Sequence, residues 1–293
     1  MGSHFVSWRG HRIHVVDSGK GEPLLLVPGL GNNVDMWKPF MDQFRERRVI
    51  RLEAPGTGLS STPSCPVRID ELSEMLVTIL DECRIAWADV VGFSYGGAVA
   101  QQFAYDYPER VRRLVLAATF CGVGSVPGSP AAMMSLATPL RYYSPSYYNR
   151  TAQITSGGVT GRDSSVRRWM IAERRRHPPS SVGYTMQLLG IMGWSSRGFL
   201  EHIPHETLVI CGDDDPLVPV ANGQMLARLI PRAQLEVVER AGHLLLWDDA
   251  KNASRLIRRF LNSETTDPTA PRRTAPRPSL GVIAAEAASP PLA

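Results

Sequence analysis

The chain has 293 residues, 43% of them hydrophobic and 20% charged, a balance that excludes general disorder and collagen-like structure and, at this length, allows a large core without covalent staples. Its formal charge is +4, and no basic stripe interleaves with aromatics, so nucleic acid is not expected as a partner. Cys65, Cys83, Cys121 and Cys211 stand far apart, which excludes C-x-x-C zinc clusters and disulfide scaffolds and fits a reducing compartment. No apolar run reaches the ~18 residues of a membrane span, and the first ten residues lack the apolar stretch of a secretory signal. A soluble, cytoplasmic protein without a transmembrane segment is the expectation.

Residues 5–9 and 12–16 read as a hairpin around Gly10. Residues 24–27, a continuous apolar run before Pro28-Gly29, suit a strand buried on both faces. A short helix over 36–44 and a strand over 49–52 follow, stopped by the loop Ala54-Pro55-Gly56-Thr57-Gly58. Over 70–83, Leu72, Met75, Leu76, Ile79 and Leu80 recur at helical spacing. Next come a strand over 89–93, a helix over 95–107 stopped by Pro108, and a strand over 114–118. The alternation then breaks until about residue 205, in a stretch punctuated by Gly and Pro and rich in Met, Trp, Tyr and Leu. It resumes with a strand over 207–211, a helix over 221–230, a strand over 234–238 and an amphipathic helix over 253–261.

Strands alternating with helices predict an α/β fold, with a mostly parallel, doubly wound sheet and right-handed crossovers. Residues 1–121 and 206–262 would form its core, and 122–205 a helical cap inserted after the sixth strand. From residue 263 the composition shifts to Pro, Ala, Thr and Ser, which predicts a disordered tail.

Gly92-Phe93-Ser94-Tyr95-Gly96 matches G-x-S-x-G between a predicted strand and a predicted helix, the setting of a nucleophile elbow. A serine hydroxyl needs a base to become nucleophilic. Of the seven histidines, His4, His11 and His14 fall in the hairpin, His177 follows three arginines, and His202 and His205 lie in a loop. His243, just past the strand over 234–238, falls at the same carboxyl edge of the sheet as Ser94, where open α/β sheets bind ligands. An acid to orient the imidazole is offered by Gly212-Asp213-Asp214-Asp215-Pro216 after the strand over 207–211. Spacing does not choose among the three aspartates. No His or Glu ligand pattern accompanies them, so neither a metal nor a cofactor is expected. An oxyanion hole calls for the amide after the nucleophile, that of Tyr95, and one from the loop Pro28-Gly29-Leu30-Gly31-Asn32-Asn33, for which Leu30 is the candidate.

These motifs, in the order serine, aspartate, histidine, resemble the α/β-hydrolase superfamily. Longer strings are similar to one branch of it, the intracellular depolymerases of medium-chain poly(3-hydroxyalkanoates). They are Gly96-Gly97-Ala98 running into QQFAYDYPERVRRLVLAAT (101–119), PSYY (145–148), GYTMQLLGIMGWSS (183–196) and GDDDPLVP (212–219), and the similarity spans about 20–262, cap included. The resemblance implies the α/β-hydrolase fold, with Ser94 as nucleophile, His243 as base and Asp215, directly before Pro216-Leu217-Val218-Pro219, as acid. It implies hydrolysis of polyester or acyl-ester bonds through an acyl-enzyme, releasing 3-hydroxy acids or oligomers, and makes the polymer granule surface a candidate partner and location. The apolar cap, with Met133, Met134, Tyr142, Tyr143, Met186, Leu188, Leu189, Met192 and Trp194, would line an acyl channel, with Met133, Met186, Leu189 and Trp194 as the substrate-binding candidates. Arg167, Arg168, Arg174, Arg175 and Arg176 read as a solvated helix face. Three positions depart from the pattern: Pro28-Gly29 stands where many α/β-hydrolases have His-Gly, Glu53 where Asp is frequent, and Tyr95 where this branch has Trp. The alternatives are a small-molecule carboxylesterase or carbon–carbon bond hydrolase on the same scaffold, and a non-catalytic ligand receptor.

Overall fold

The structure is a computed structural model that describes residues 2–264; beyond residue 264, the expected tail lies outside the described residues. Among the described residues there are eight strands: β1 Gly2–Trp8, β2 His11–Ser18, β3 Pro23–Val27, β4 Arg48–Leu52, β5 Ala88–Phe93, β6 Val111–Ala117, β7 Thr207–Gly212 and β8 Ala233–Val238. They form one sheet in the order β1-β2-β4-β3-β5-β6-β7-β8. The hairpin β1–β2 is antiparallel, with Trp8 opposite His11, and β2 is antiparallel to β4. The remaining neighbours are parallel.

Side chains alternate across a strand, and here both sides are buried. Leu25, Val27, Val90 and Leu114 join one core cluster, while Leu24, Leu26, Val91 and Val115 join another. Helices cover each face: α1 Lys38–Met41, α2 Ile69–Glu82, α3 Tyr95–Asp106, and, after β7, α10 Val220–Leu229, α11 Leu245–Asp248 and α12 Ala250–Asn262. The first cluster packs under α2 and α3, and the second under α1, α11 and α12. The helix expected over 36–44 is broken into a 3-10 turn, Val34–Trp37, and the short α1. Asn33 starts the turn early by accepting the Asp35 and Met36 amides, and Pro39 has no N–H with which to continue a helical ladder.

Between β6 and β7, after the sixth strand, the chain forms six helices: α4 Pro130–Leu136, α5 Leu140–Tyr143, α6 Pro145–Ser156, α7 Gly158–Arg162, α8 Ser164–Arg176 and α9 Ser181–Ile191. They reach the loops at the carboxyl edge of the sheet. Gly183 in α9 lies so close to Gly56 that a Cβ on Gly183 would stand 2.4 Å from the Gly56 Cα. The strand order reverses direction at β3, between β4 and β5. This switch point opens a crevice between the β3 and β5 loops, which carry Leu30 and Ser94. No helix among the described residues is long and apolar enough to cross a membrane.

Candidate active site

Ser94 connects β5 to α3 with φ 52° and ψ −117°. A residue with a side chain adopts such a backbone only under strain, on the order of 1–3 kcal/mol. The turn is clamped. The Ser94 amide donates to the Ala117 carbonyl at 2.9 Å, and the Ser94 carbonyl accepts from Thr119 Oγ1 at 2.7 Å and from the Gly97 amide at 2.8 Å. Gly96 lets α3 approach β3, because a Cβ there would lie 2.3 Å from the Val27 carbonyl oxygen.

His243 follows β8 in a loop held by the end of α6. Its amide donates to the Ser156 carbonyl at 2.7 Å, and a Cβ on Gly242 would stand 2.0 Å from that same oxygen. The imidazole Nε2 is 3.0 Å from Ser94 Oγ, and Nδ1 is 2.9 Å from Asp215 Oδ2. All three residues are buried, at 9% exposure or less. The other Asp215 oxygen, Oδ1, accepts the Leu217 and Val218 amides at 2.8 and 2.9 Å, which orients the carboxylate.

The three aspartates that spacing leaves undecided have separate partners. Asp213 accepts the Arg240 amide. Asp214 accepts the Gly158 amide at 3.0 Å and pairs with Arg162 at 2.7 Å. Asp215 faces the imidazole. With the Nδ1 proton directed at Asp215, the Nε2 lone pair is available to the serine hydroxyl. A hydroxyl, a base and an orienting acid in this sequence can attack an acyl carbonyl.

Ser94 and His243 line a cavity of about 420 Å³, together with Leu30, Phe93 and Tyr95. Among the described residues, neither the Leu30 nor the Tyr95 amide has a hydrogen-bond acceptor, whereas the next amide, that of Gly31, donates to Gln187 Oε1 at 3.1 Å. Most of the remaining lining is apolar, including Phe120, Met133, Leu136, Leu188, Trp194 and Leu217. Other histidines lie elsewhere. His14 is buried between Ser3 Oγ and Glu53, each at 2.8 Å, and burial lowers the pKa of His205 to about 4. No cluster of three or more His, Cys, Asp or Glu able to hold a metal occurs among the described residues.

The sequence model of the Alpha/beta hydrolase family matches residues 24–255. The chain belongs to this family. It is 40% identical over 243 residues to a poly(3-hydroxyalkanoate) depolymerase from Ectopseudomonas oleovorans, covering 83% of this chain and 85% of that protein. It is 30% identical over 261 residues to a 2-hydroxymuconate semialdehyde hydrolase from Pseudomonas sp. strain CF600, covering 84% and 88%. A solved hydrolase from Pseudomonas aeruginosa PA01 aligns with a TM-score of 0.76 at 26% identity, covering 89% of this chain and 98% of that one.

In this α/β hydrolase, one of the departures noted in the sequence, Glu53, has a physical account. Glu53 is fully buried and ties three segments together. It accepts the Val34 amide at 3.2 Å and the Leu59 amide at 2.7 Å, and it pairs with His14. Gly58, at φ +56°, makes room for its carboxylate, since a Cβ there would lie 2.2 Å from Glu53 Cδ. The Tyr95 hydroxyl is buried without a hydrogen-bond partner among the described residues, and burial pushes its pKa up.

Of the substrate-binding candidates, Met133 and Trp194 line the cavity, and Met186 and Leu189 do not. On α9 it is Leu188 and Ile191 that face it, while Leu189 is exposed. One residue rotates the direction by about 100° on a helix, so the burial-set phase of α9 decides which side chains face inward. Sequence reasoning also misses Gln187, a polar residue in an otherwise apolar run. Besides the Gly31 amide, it binds the Pro55 carbonyl at 2.9 Å and Thr57 Oγ1 at 2.8 Å. Arg174, expected on a solvated face, is buried and lines the cavity. On α8 it shares the inward stripe with Met170 and Glu173, leaving Arg168, Arg175 and Arg176 exposed.

Proposed function

We propose that the protein is a serine hydrolase that cleaves ester bonds of poly(3-hydroxyalkanoate) or its oligomers through an acyl-enzyme. The observation that carries this reading is the continuous Ser94–His243–Asp215 hydrogen-bond chain opening onto a mostly apolar cavity. Ser94 Oγ adds to the ester carbonyl as His243 Nε2 takes its proton. The Leu30 and Tyr95 amides receive the developing oxyanion, a contribution on the order of 10²–10³-fold in rate for each donor of such a hole. Asp215 stabilises the imidazolium, which then protonates the departing alcohol, and water releases the acid by the same steps in reverse.

Two features support a polyester as substrate. One is the 40% identity to a poly(3-hydroxyalkanoate) depolymerase. The other is the cavity rim: Val123, Val126 and Met133 both line the cavity and stand exposed, an apolar margin suited to an apolar polymer surface. Incubation with medium-chain poly(3-hydroxyalkanoate) granules is expected to release 3-hydroxy acids. Ser94→Ala should reduce that release on the order of 10⁴-fold or more. The 30% identity to a semialdehyde hydrolase favours carbon–carbon bond hydrolysis as the second reading. Turnover of a small carbon–carbon substrate, with no acid released from granules, selects it.

A further inference from the structure

The cavity contains two positive charges that the ester chemistry leaves unused. Arg141 and Arg174 both line it alongside Ser94. Arg174 is 5% exposed, and its Nε and Nη1 are buried with no hydrogen-bond partner among the described residues. Its guanidinium rests instead on two rings, 4.6 Å from the centroid of Tyr148 and 5.3 Å from that of Tyr142. Arg141 lies 4.9 Å from the same Tyr142 ring and donates to the Tyr184 hydroxyl at 2.7 Å. Among the described residues, neither arginine is paired with a carboxylate. Glu173, beside Arg174 in sequence, pairs with Lys38 at 3.4 Å and Arg176 at 3.2 Å. The Tyr142 hydroxyl donates to the Leu30 carbonyl, so this basic cluster is tethered to the loop of the candidate oxyanion amide.

A guanidinium cannot shed its proton, and a buried charge without a counterion is strongly disfavoured. One buried and one half-buried guanidinium on a single tyrosine ring, in a cavity with an otherwise mostly apolar lining, call for an anionic ligand. The planar donor fork matches a carboxylate. We infer that Arg141 and Arg174 form a carboxylate-binding subsite and that the enzyme takes linear oligoesters by their free carboxylate end, an inference that rests on ester hydrolysis at Ser94. The ester bond nearest that end is then the one cut. Ser94 Oγ bonds to its acyl carbon, the acyl C–O bond breaks, and the proton held by His243 passes to the departing oxygen of the terminal 3-hydroxy acid. Water hydrolyses the acyl-enzyme, and the shortened chain leaves as a free acid that carries the carboxylate needed for the next cycle.

The test compares kcat/KM for the linear dimer of 3-hydroxyoctanoate with that for its methyl ester, near neutral pH. Charge-assisted hydrogen bonds predict that the wild-type protein prefers the free acid by about tenfold or more. Arg174→Gln and Arg141→Gln should bring the ratio towards one, and Arg174→Lys should keep part of the preference. A wild-type ratio near one overturns the subsite and leaves the ester reading standing, as do Gln variants that slow both substrates in proportion. Calorimetry on Ser94→Ala protein gives a readout independent of turnover: 3-hydroxyoctanoate should bind more tightly than its methyl ester, and Arg141→Gln should abolish the difference. If neither dimer is hydrolysed, the ester reading fails and the calorimetry alone decides the subsite. Equal binding of acid and ester overturns it.

Discussion

The carboxyl edge of the sheet and the helices above it meet in one cavity, yet they are built in opposite ways. At the edge, the side chains of the candidate relay all have partners: Ser94 on His243, His243 on Asp215, and Asp215 on two backbone amides. In the helical region, buried donors of Arg174 and Tyr148 have none among the described residues, and Met133, Met134 and Met192 remain exposed. Parallel strands deliver their loops to one edge, where backbone amides orient Asp215. The helices above carry buried polar groups without a hydrogen-bond partner among the described residues. On the proposed function, the edge would supply the reaction and the helices a choice of what reacts.

The contrast can be broken first at the aspartates. Asp215→Asn is expected to lower kcat on ester substrates about 10⁴-fold, because the imidazole loses the acceptor that sets its tautomer. Asp213→Asn and Asp214→Asn should cost far less, since their carboxylates hold Arg240 and Gly158 rather than His243. Similar losses in steady-state rate for all three would place the acid wrongly.

A stability measurement comes next. Burial holds His205, which lies just before β7, neutral down to a pKa of about 4. Above about pH 6.5 it is neutral in both folded and unfolded chains and contributes nothing to pH dependence. As pH falls from there towards 4, the unfolded chain binds a proton that the folded chain refuses, and stability drops by up to about 3 kcal/mol. His205→Asn should flatten that part of the Tm-against-pH curve; an unchanged curve removes His205 as its source.

The smallest effect sharpens the boundary between the two regions. Gln187 joins α9 to the Gly31 amide, the Pro55 carbonyl and Thr57. Gln187→Leu leaves these buried groups unpaired and should cost about 1–3 kcal/mol in urea unfolding. Loosening beside Leu30 should also lower kcat more than it raises KM. A loss of stability with kinetics unchanged would separate the staple from the oxyanion loop.

The strand–helix alternation, the hairpin around Gly10 and the turn at Ser94 are all legible in the chain, because period, Gly and Pro punctuation and the G-x-S-x-G spacing are local properties. The same local signals bring Ser94 and His243 forward as candidates and place both at one edge of a parallel sheet. Their 3.0 Å approach across 149 residues is a different matter, as is the contact of His243 with Asp215, which the family resemblance implies but spacing leaves open among three neighbours. Both depend on how the loops after β7 and β8 are pressed by Ser156 and Gly157 from the helices above. Helix phase is likewise a product of packing. Composition marks α8 as basic and α9 as apolar, but a rotation of about 100° per residue separates Leu188, which faces the cavity, from Leu189, which faces solvent, and Arg174, which is buried, from Arg175, which is not. The amino-acid order by itself determines the fold class and the kinds of side chain available for chemistry. Only the tertiary structure decides which of them share a hydrogen bond or a cavity, since those distances arise from contacts between segments far apart along the chain.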